Sequence, residues 1–366
     1  MENRIVKLGD VITANYGRTL PKKNRVSGKI PVYGSSGITD YHNRSIVDGP
    51  AVIIGRKGNI GSVFLTENSF YPIDTTYYVT REDLKGLDIY FTYYLLQCLP
   101  LQEMNTDSAV PGLNRNNLYS IPVKIPDLST QVTIADILRT IDKKIQLNQQ
   151  INNNLLKLSS SIVMRASLKS DRVINLQALL DNSRKPNIST DEISLDTYVS
   201  NTSLRANKRG LDTAEDYPSV KSVRAVDPGD ILVGNIRPYF KKIWIADRKG
   251  GASNDVLTFR ADSAVVTPEF LFGILYSDRF FDYVTATSKG TKMPRGDKQA
   301  IALYQVGLPD KDVIASVTDV VKPMLEQVSL NERQNQQLTK LRDLLLPKLL
   351  AGDINLSNIE AVMNNA

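Results

Sequence analysis

Leu147-Asn148-Gln149-Gln150-Ile151-Asn152-Asn153-Asn154-Leu155-Leu156-Lys157-Leu158 returns 183 residues later as Leu330-Asn331-Glu332-Arg333-Gln334-Asn335-Gln336-Gln337-Leu338-Thr339-Lys340-Leu341. The same offset lays Pro111–Leu158 on Pro294–Leu341 without a gap. Its identities include Pro111/Pro294, Val123/Val306, Pro126/Pro309, Asp127/Asp310 and Asp136/Asp319. Apolar character is matched at Ile134/Val317, Ile137/Val320, Ile141/Met324 and Ile145/Val328. An ungapped match of this length marks a duplicated chain, and a repeat decides the architecture before any local reading does.

Each copy of the repeat reads as a long helix. From Thr130 to Leu168 there is neither Gly nor Pro, and apolar residues recur at Ile134, Ile137, Ile141, Ile145, Ile151, Leu155, Leu158 and Ile162. That is the stripe of a coiled coil. Asp127, Ser129 and Thr130 supply caps for the first turn. The second copy carries Val317, Val320, Met324, Val328, Leu338, Leu341 and Leu345, with Pro323 expected to bend or interrupt it and Pro347 to disturb its end. The expected pairing positions are Ile134, Ile141, Asn148 and Leu155 on one helix and Val317, Met324, Asn331 and Leu338 on the other. Asn148 and Asn331 either cap a solvent-facing end of the seam or fix register and partner. A helix of about 38 residues spans roughly 57 Å at ~1.5 Å per residue, longer than one turn of B-DNA at about 34–36 Å. It reads as a spacer.

The segments ahead of the helices repeat more distantly. Gly49–Arg56 and Pro228–Asn235 are apolar runs opened by turn residues. Ser62–Thr66 and Lys242–Ala246, then Thr76–Thr80 and Asp255–Phe259, follow as β-type runs, and Tyr90–Leu96 and Glu269–Leu275 turn helical. Short strands broken by Gly and Pro predict mixed α+β domains. The expected division is residues 1–125 and 171–308 as two α+β domains, 126–170 as a central helix, and 309–366 as a C-terminal helix and tail.

Bulk properties narrow the function. The net charge is +6, with hydrophobic residues at 42% and charged residues at 23%, as in an ordinary globular protein. Residues 1–125 hold 14 Lys and Arg against 11 Asp and Glu, 126–170 hold 6 against 3, 171–308 hold 19 against 17, and 309–366 hold 6 against 8. A mild basic excess absent from the last segment suits a nucleic-acid binder with protein partners. Cys98 is the single cysteine, so a cytoplasmic setting without disulfides is expected. No apolar run approaches the ~18 residues of a membrane span.

Catalytic motifs are missing. An adenine methyltransferase needs an Asn/Asp-Pro-Pro-aromatic string; the nearest, Arg237-Pro238-Tyr239-Phe240, lacks the acceptor and the second proline. The sole Gly-Lys pair, Gly28-Lys29, is followed by Ile30, not Ser or Thr. One histidine and one cysteine, His42 and Cys98, make a zinc site or Cys–His pair unpromising, and His42 reads as a surface or DNA-facing residue. No metal or cofactor is expected in the chain.

DNA readout calls for Arg, Lys, Asn, Ser or Thr on loops that approach closely. Candidates in the first domain are Lys22, Lys23, Arg25 and Lys29, with Ser35, Ser36, Arg56, Lys57 and Asn59 in Gly-rich turns. In the second they are Arg205, Lys208 and Arg209; Asn235, Arg237, Tyr239, Lys241 and Lys242; and Lys289, Thr291, Lys292, Arg295 and Lys298.

Leu341-Arg342-Asp343-Leu344-Leu345-Leu346-Pro347-Lys348-Leu349-Leu350-Ala351-Gly352-Asp353-Ile354 is similar to the C-terminal signature of the DNA-specificity subunits of type I restriction–modification systems. Lys7–Val11 resembles the opening of a recognition domain in that family, and Pro31–Ile38, Gly58–Ser62, Pro111–Arg115 and Met293–Asp297 resemble it too. The resemblance covers nearly the whole chain. It implies two target-recognition domains held apart by antiparallel helices, each reading one half of a bipartite double-stranded DNA target. It further implies docking to two methyltransferase subunits and two restriction (motor) subunits, which would own the S-adenosylmethionine, ATP and Mg chemistry. The chain itself would then be no enzyme. A coiled-coil adaptor without DNA contact, and a self-contained DNA-modifying enzyme, stand as the alternatives.

Overall fold

Ala51-Val52-Ile53-Ile54-Gly55 is apolar at every position and forms a strand buried along its whole length. Such a strand needs partners on both edges. In the computed structural model, which describes residues 4–104, 112–181, 183, 186–354 and 356, it pairs antiparallel with Val63–Thr66 and Thr76–Thr80. Asn15–Tyr16 extends the sheet beyond Thr76–Thr80. Ile30–Gly34 lies between Gly37–His42 and Tyr71–Pro72 in a second sheet. Helix Ile89–Cys98 follows, started by Asp88, whose carboxylate accepts from the N–H groups of Tyr90 and Phe91, both at 2.9 Å.

The second half builds the same pattern from different residues. Ile231–Gly234 is buried throughout and sits between Ile243–Ile245 and Val256–Phe259. Helix Pro268–Leu275 comes next, capped by Thr267. A closing ladder recurs as well: Arg4–Lys7 pairs antiparallel with Pro122–Ile125, and Val173–Asn175 with Gln305–Gly307. Each ladder ties the start of its half to the residues that enter a long helix. The fold is α+β with an internal repeat, as the sequence predicts. Pro111, one of the repeat's identities, lies outside the described residues.

The chain divides into two units, Met1–Ile145 with Gln336–Ala366, and Gln146–Asn335. The first packs Val52, Ile54, Tyr77, Val79, Phe91 and Leu96 against Ile134 and Leu138 of one long helix and Leu346 and Leu349 of the other. In the second, Phe270, Phe280, Phe281 and Val233 enclose Leu156, Val163, Val321, Leu325 and Val328. Gly273 is where helix Pro268–Leu275 meets Val163. A Cβ there would come within 2.5 Å of Val163 Cγ2, and the Ser160 hydroxyl donates to the Gly273 carbonyl at 2.7 Å.

The long helices are Leu128–Leu168 and Lys311–Ala351, 41 residues each. Asp127 starts the first: its carboxylate accepts from Thr130 N–H at 3.0 Å and from the Ser129 and Thr130 hydroxyls. These bonds hold it at a pKa of about 2. Within the first unit, Asp142 accepts from Tyr94 Oη at 2.7 Å and from Arg342 at 2.9 Å. Within the second unit the seam is polar. Asn148 donates to Gln334 Oε1 at 2.7 Å and Asn335 Oδ1 at 2.9 Å, and Asn331 donates to Asn152 Oδ1 at 2.8 Å. Asn148, Asn152 and Asn331 are buried. Partners that run up one helix as they run down the other make this contact antiparallel, and the amides sit inside the seam rather than at a solvent-facing end.

Two expectations need correction. Ile151 and Leu158 on the first helix, and Val320 and Leu341 on the second, face outward. The inward row instead passes from Ile141 through Asn148, Asn152, Leu156, Ser159 and Val163, and on the other helix through Val321, Leu325, Val328 and Asn331. Polar residues in the row hide it from a hydrophobic pattern. Of the expected pairing positions, Ile134, Ile141, Asn148 and Asn331 are buried, and Leu155, Val317, Met324 and Leu338 half-buried. Neither Pro323 nor Pro347 interrupts the second helix. Pro323 and Asp319, whose carbonyl the missing N–H would have met, are both exposed, so water can satisfy the freed acceptor.

Glu332 follows Asn331 and lies against Gly210, where an added Cβ would collide with its Oε1. Burial pushes its carboxyl up to about 7, with Arg205 opposing and Asp247 adding to the shift.

Asn331→Leu alone leaves Asn152 buried with a lost partner and should cost about 1–3 kcal/mol in chemical denaturation. Asn152→Leu/Asn331→Leu together should recover most of that loss; an additive loss would contradict the paired-amide reading. Because the folded state holds a Glu332 proton that the unfolded chain releases, stability should fall as pH rises from about 4.5 to about 7 and then level off. Glu332→Gln should flatten that slope and raise stability at pH 8 by on the order of 1–3 kcal/mol. Melting curves across pH 5–8 check it, and an unchanged slope would refute it.

Candidate nucleic-acid interface

In the first unit the buried strand ends at Gly55, and the chain turns through Arg56-Lys57-Gly58-Asn59-Ile60-Gly61. Gly58 and Gly61 take φ of 80° and 71°, which L-residues avoid. A Cβ on Gly61 would lie 2.6 Å from the Gln102 nitrogen. Arg56 N–H donates to the Thr75 carbonyl at 2.8 Å, and Leu113 N–H donates to the Arg56 carbonyl at 2.8 Å. Lys57 bridges Gly112. The Ser62 hydroxyl donates to the carbonyls of Ser35 and Asn59, fastening the Ser35–Ser36 turn to this loop.

Two guanidinium groups, those of Arg56 and Arg115, each lie 4.8 Å from the Tyr16 ring centroid. Arg56 also donates to the Asp74 carbonyl at 3.1 Å. Both arginines are thus held in place with Lys57, Asn59 and Ser36 exposed beside them. Tyr77, its ring tilted 59° to that of Tyr16 at 5.0 Å, donates its hydroxyl to the Leu113 carbonyl; burial pushes its pKa up to about 12.

Lys22, Lys23 and Lys29 are exposed and form a separate group ahead of strand Ile30–Gly34. Arg25 turns inward, donating to the Leu20 carbonyl at 3.3 Å and pairing with Asp40 at 3.1 Å. His42 is not a surface residue. It is buried, its Nδ1 accepts from Val26 N–H at 3.0 Å, and its ring meets Tyr71 edge to face.

The second unit repeats the loop geometry. Asn235 follows Gly234; its N–H donates to the Asp255 carbonyl at 2.9 Å, and Gly296 N–H donates to its carbonyl at 3.2 Å. Ile236 bridges Arg295 as Lys57 bridges Gly112. Arg237 N–H reaches the Pro294 carbonyl at 2.7 Å, and Lys289 bridges Arg295. Arg295 pairs with Asp255 at 3.0 Å and Lys289 with Asp297. Asn235, Arg237, Lys289 and Arg295 therefore come together, with Thr291, Lys292 and Lys298 exposed on the same segment. The Asn235 side chain is buried, and its Oδ1 has no partner.

The remaining candidates of this unit are mostly occupied. Lys208 and Lys241 share Asp278, at 2.9 and 2.8 Å, and Lys241 also reaches Asp282 at 3.2 Å. The two lysines hold Asp278 at about 2, while burial pulls Lys208 down. Lys242 donates to the Asn201 carbonyl, and Arg205 lies 3.4 Å from Asp212. Arg209 and Tyr239 are exposed.

Tyr16 and Arg115 were not among the sequence candidates. The 183-residue offset offered the signal for Arg115, since it places that residue on Lys298, which was among them. Among the described residues, no group of three or more His, Cys, Asp or Glu could hold a metal ion, and no helix is long and apolar enough to cross a membrane.

Residues 2–157 match the family model of the type I restriction modification DNA specificity domain. The chain is 25% identical over 191 residues to the type I restriction enzyme EcoprrI specificity subunit of Escherichia coli, covering 50% of this chain but only 45% of that one. It is 20% identical over 399 aligned positions to the EcoDI specificity subunit of Escherichia coli, covering 96% and 88%. Its fold is similar to that of the type I restriction–modification S subunit from M. genitalium, with a TM-score of 0.63 over 95% of this chain and 96% of that one, at 12% identity. With the repeat, the paired helices and the duplicated loop geometry, these matches make the chain similar, in its first 157 residues and in its fold, to the specificity subunits of type I restriction–modification systems.

Proposed function

We propose that the chain is a non-catalytic reader of a bipartite double-stranded DNA target, with one half-site for each recognition unit. One observation carries the reading: loops of different sequence in the two halves build the same basic junction, Lys57 on Gly112 and Ile236 on Arg295. In the first unit Arg56, Lys57, Asn59, Ser35, Ser36, Arg115 and Tyr16 face the half-site. In the second, Asn235, Arg237, Lys289, Thr291, Lys292, Arg295 and Lys298 do so. Arginine and asparagine can pair two-pronged with guanine and adenine edges, and the exposed lysines contact phosphates. Lys22, Lys23 and Lys29 add phosphate contacts, while Arg25, Lys208, Lys241 and Lys242 position their loops.

The long helices set the spacer between half-sites and dock two methyltransferase subunits, with two restriction subunits joining the full complex. Leu147 and its repeat mate Leu330 are 50% and 57% exposed, and Leu158 and Leu341 are 49% and 45% exposed. Large apolar side chains left in water at equivalent positions suit two copies of one partner. S-adenosylmethionine, ATP and Mg chemistry would reside in those partners.

Arg115→Ala should relax discrimination at one half-site and Arg295→Ala at the other, each by roughly tenfold to a hundredfold. Lys57→Ala should weaken binding evenly across sequences and shallow the salt dependence. Competition binding with the chain in complex with its methyltransferase checks all three. If both arginine variants alter the same half-site, or neither alters any, the reading fails.

A further inference from the structure

Among the described residues, the non-glycine positions with a left-handed backbone are Asn207, Lys208, Arg237 and Lys241, at φ of 59°, 59°, 53° and 49°. All four bracket one feature of the second unit, the single turn Pro238–Phe240. L-residues avoid this conformation, and where it persists the surroundings must enforce it. Here the enforcement is visible. Asn207 N–H donates to the Phe240 carbonyl at 2.7 Å, and Lys208 N–H donates to the Lys241 carbonyl at 2.8 Å. The side chains of Lys208 and Lys241 then both reach Asp278, on helix Asp278–Ala286.

What this bracing holds out is a pair of rings. Tyr239 and Phe240 lie 4.8 Å apart, centroid to centroid, and are 48% and 39% exposed. Two adjacent aromatic side chains left in water on a braced turn call for a partner with an apolar, planar surface. The turn adjoins the basic segment of the same unit, because Arg237 N–H donates to the Pro294 carbonyl at 2.7 Å, one residue from Arg295. The matching loop of the first unit has no such pair. There Gly58-Asn59-Ile60-Gly61 occupies the position, and Ile60 is buried.

We propose that Tyr239 and Phe240 form a wedge that enters the DNA at the second half-site and stacks on bases, unstacking one base step. The inference rests on the DNA-reading role proposed above. Rigid apolar or aromatic wedges flanked by cations work this way on duplexes, and the cost of opening a step depends on its sequence. The second unit would therefore read deformability in addition to base edges, and the first unit would not.

The test uses the full chain assembled with its methyltransferase subunit on duplexes carrying its methylation target. 2-Aminopurine is substituted in turn at each position of the second half-site other than the methylated adenine and its stacking neighbours, which the methyltransferase unstacks itself. The wild type should raise fluorescence on binding at one step. Tyr239→Ala/Phe240→Ala should abolish that rise and weaken binding about tenfold to a hundredfold, with discrimination at the first half-site unchanged. Tyr239→Phe/Phe240→Tyr, which keeps both rings and guards against misfolding, should retain the signal. A wild-type complex that binds selectively without raising fluorescence at any step overturns the wedge alone. So does a folded double-alanine variant that retains the rise, or one that no longer assembles with the methyltransferase, since the rings would then face protein. A wild-type complex with no sequence selectivity overturns the reading beneath it as well.

Discussion

Burying a primary amide is costly unless every donor and acceptor finds a partner, and two rods joined by amides fit in very few registers. Asn148 donates to Asn335 and Asn331 donates to Asn152 across the seam. The 183-residue repeat turns each of these bonds into the other, exchanging Asn148 for Asn331 and Asn152 for Asn335. A slip of either helix by one turn would break both bonds and leave a single asparagine pair facing across the seam. The buried asparagines thus work as single polar residues do in coiled coils, giving up some stability for one alignment. Everything that the helices carry depends on that alignment.

Each half adds the same device to its helix. A strand buried on both faces stops at a glycine, and the following loop is pinned to the residues that lead into the last short helix, Arg115–Ser120 in one half and Lys298–Ala302 in the other. The closing ladders, Arg4–Lys7 with Pro122–Ile125 and Val173–Asn175 with Gln305–Gly307, then return the chain to the long helices. The basic loops are therefore held by backbone hydrogen bonds as well as by side chains. Side chains on the loops can change while the loop geometry stays.

Much of this was legible in the sequence, because continuous apolar runs bounded by glycine mark buried strands and an ungapped repeat marks duplication. The seam was legible only as far as Ile145. Beyond it the inward positions are Asn148, Asn152 and Ser159, and a search for apolar residues drifts onto Ile151 and Leu158, which face water. Basic residues were found but not sorted. Nothing local in the sequence says that Lys208 and Lys241 converge on Asp278, or that Arg25 turns inward to Asp40. Tyr16, Arg56 and Arg115 are far apart along the chain, and only folding stacks them. His42 sits among polar neighbours in sequence, yet its ring is buried, bonded to Val26 N–H and edge-on to Tyr71.

Bipartite recognition, as proposed, requires one DNA-reading unit in each half of the duplicated chain. Mapping N6-methyladenine across the genome of a host that expresses this chain with its methyltransferase subunit tests that directly. Two short specified blocks separated by a fixed run of unspecified bases are expected at every modified locus. A single uninterrupted motif, or blocks at variable separation, would contradict it.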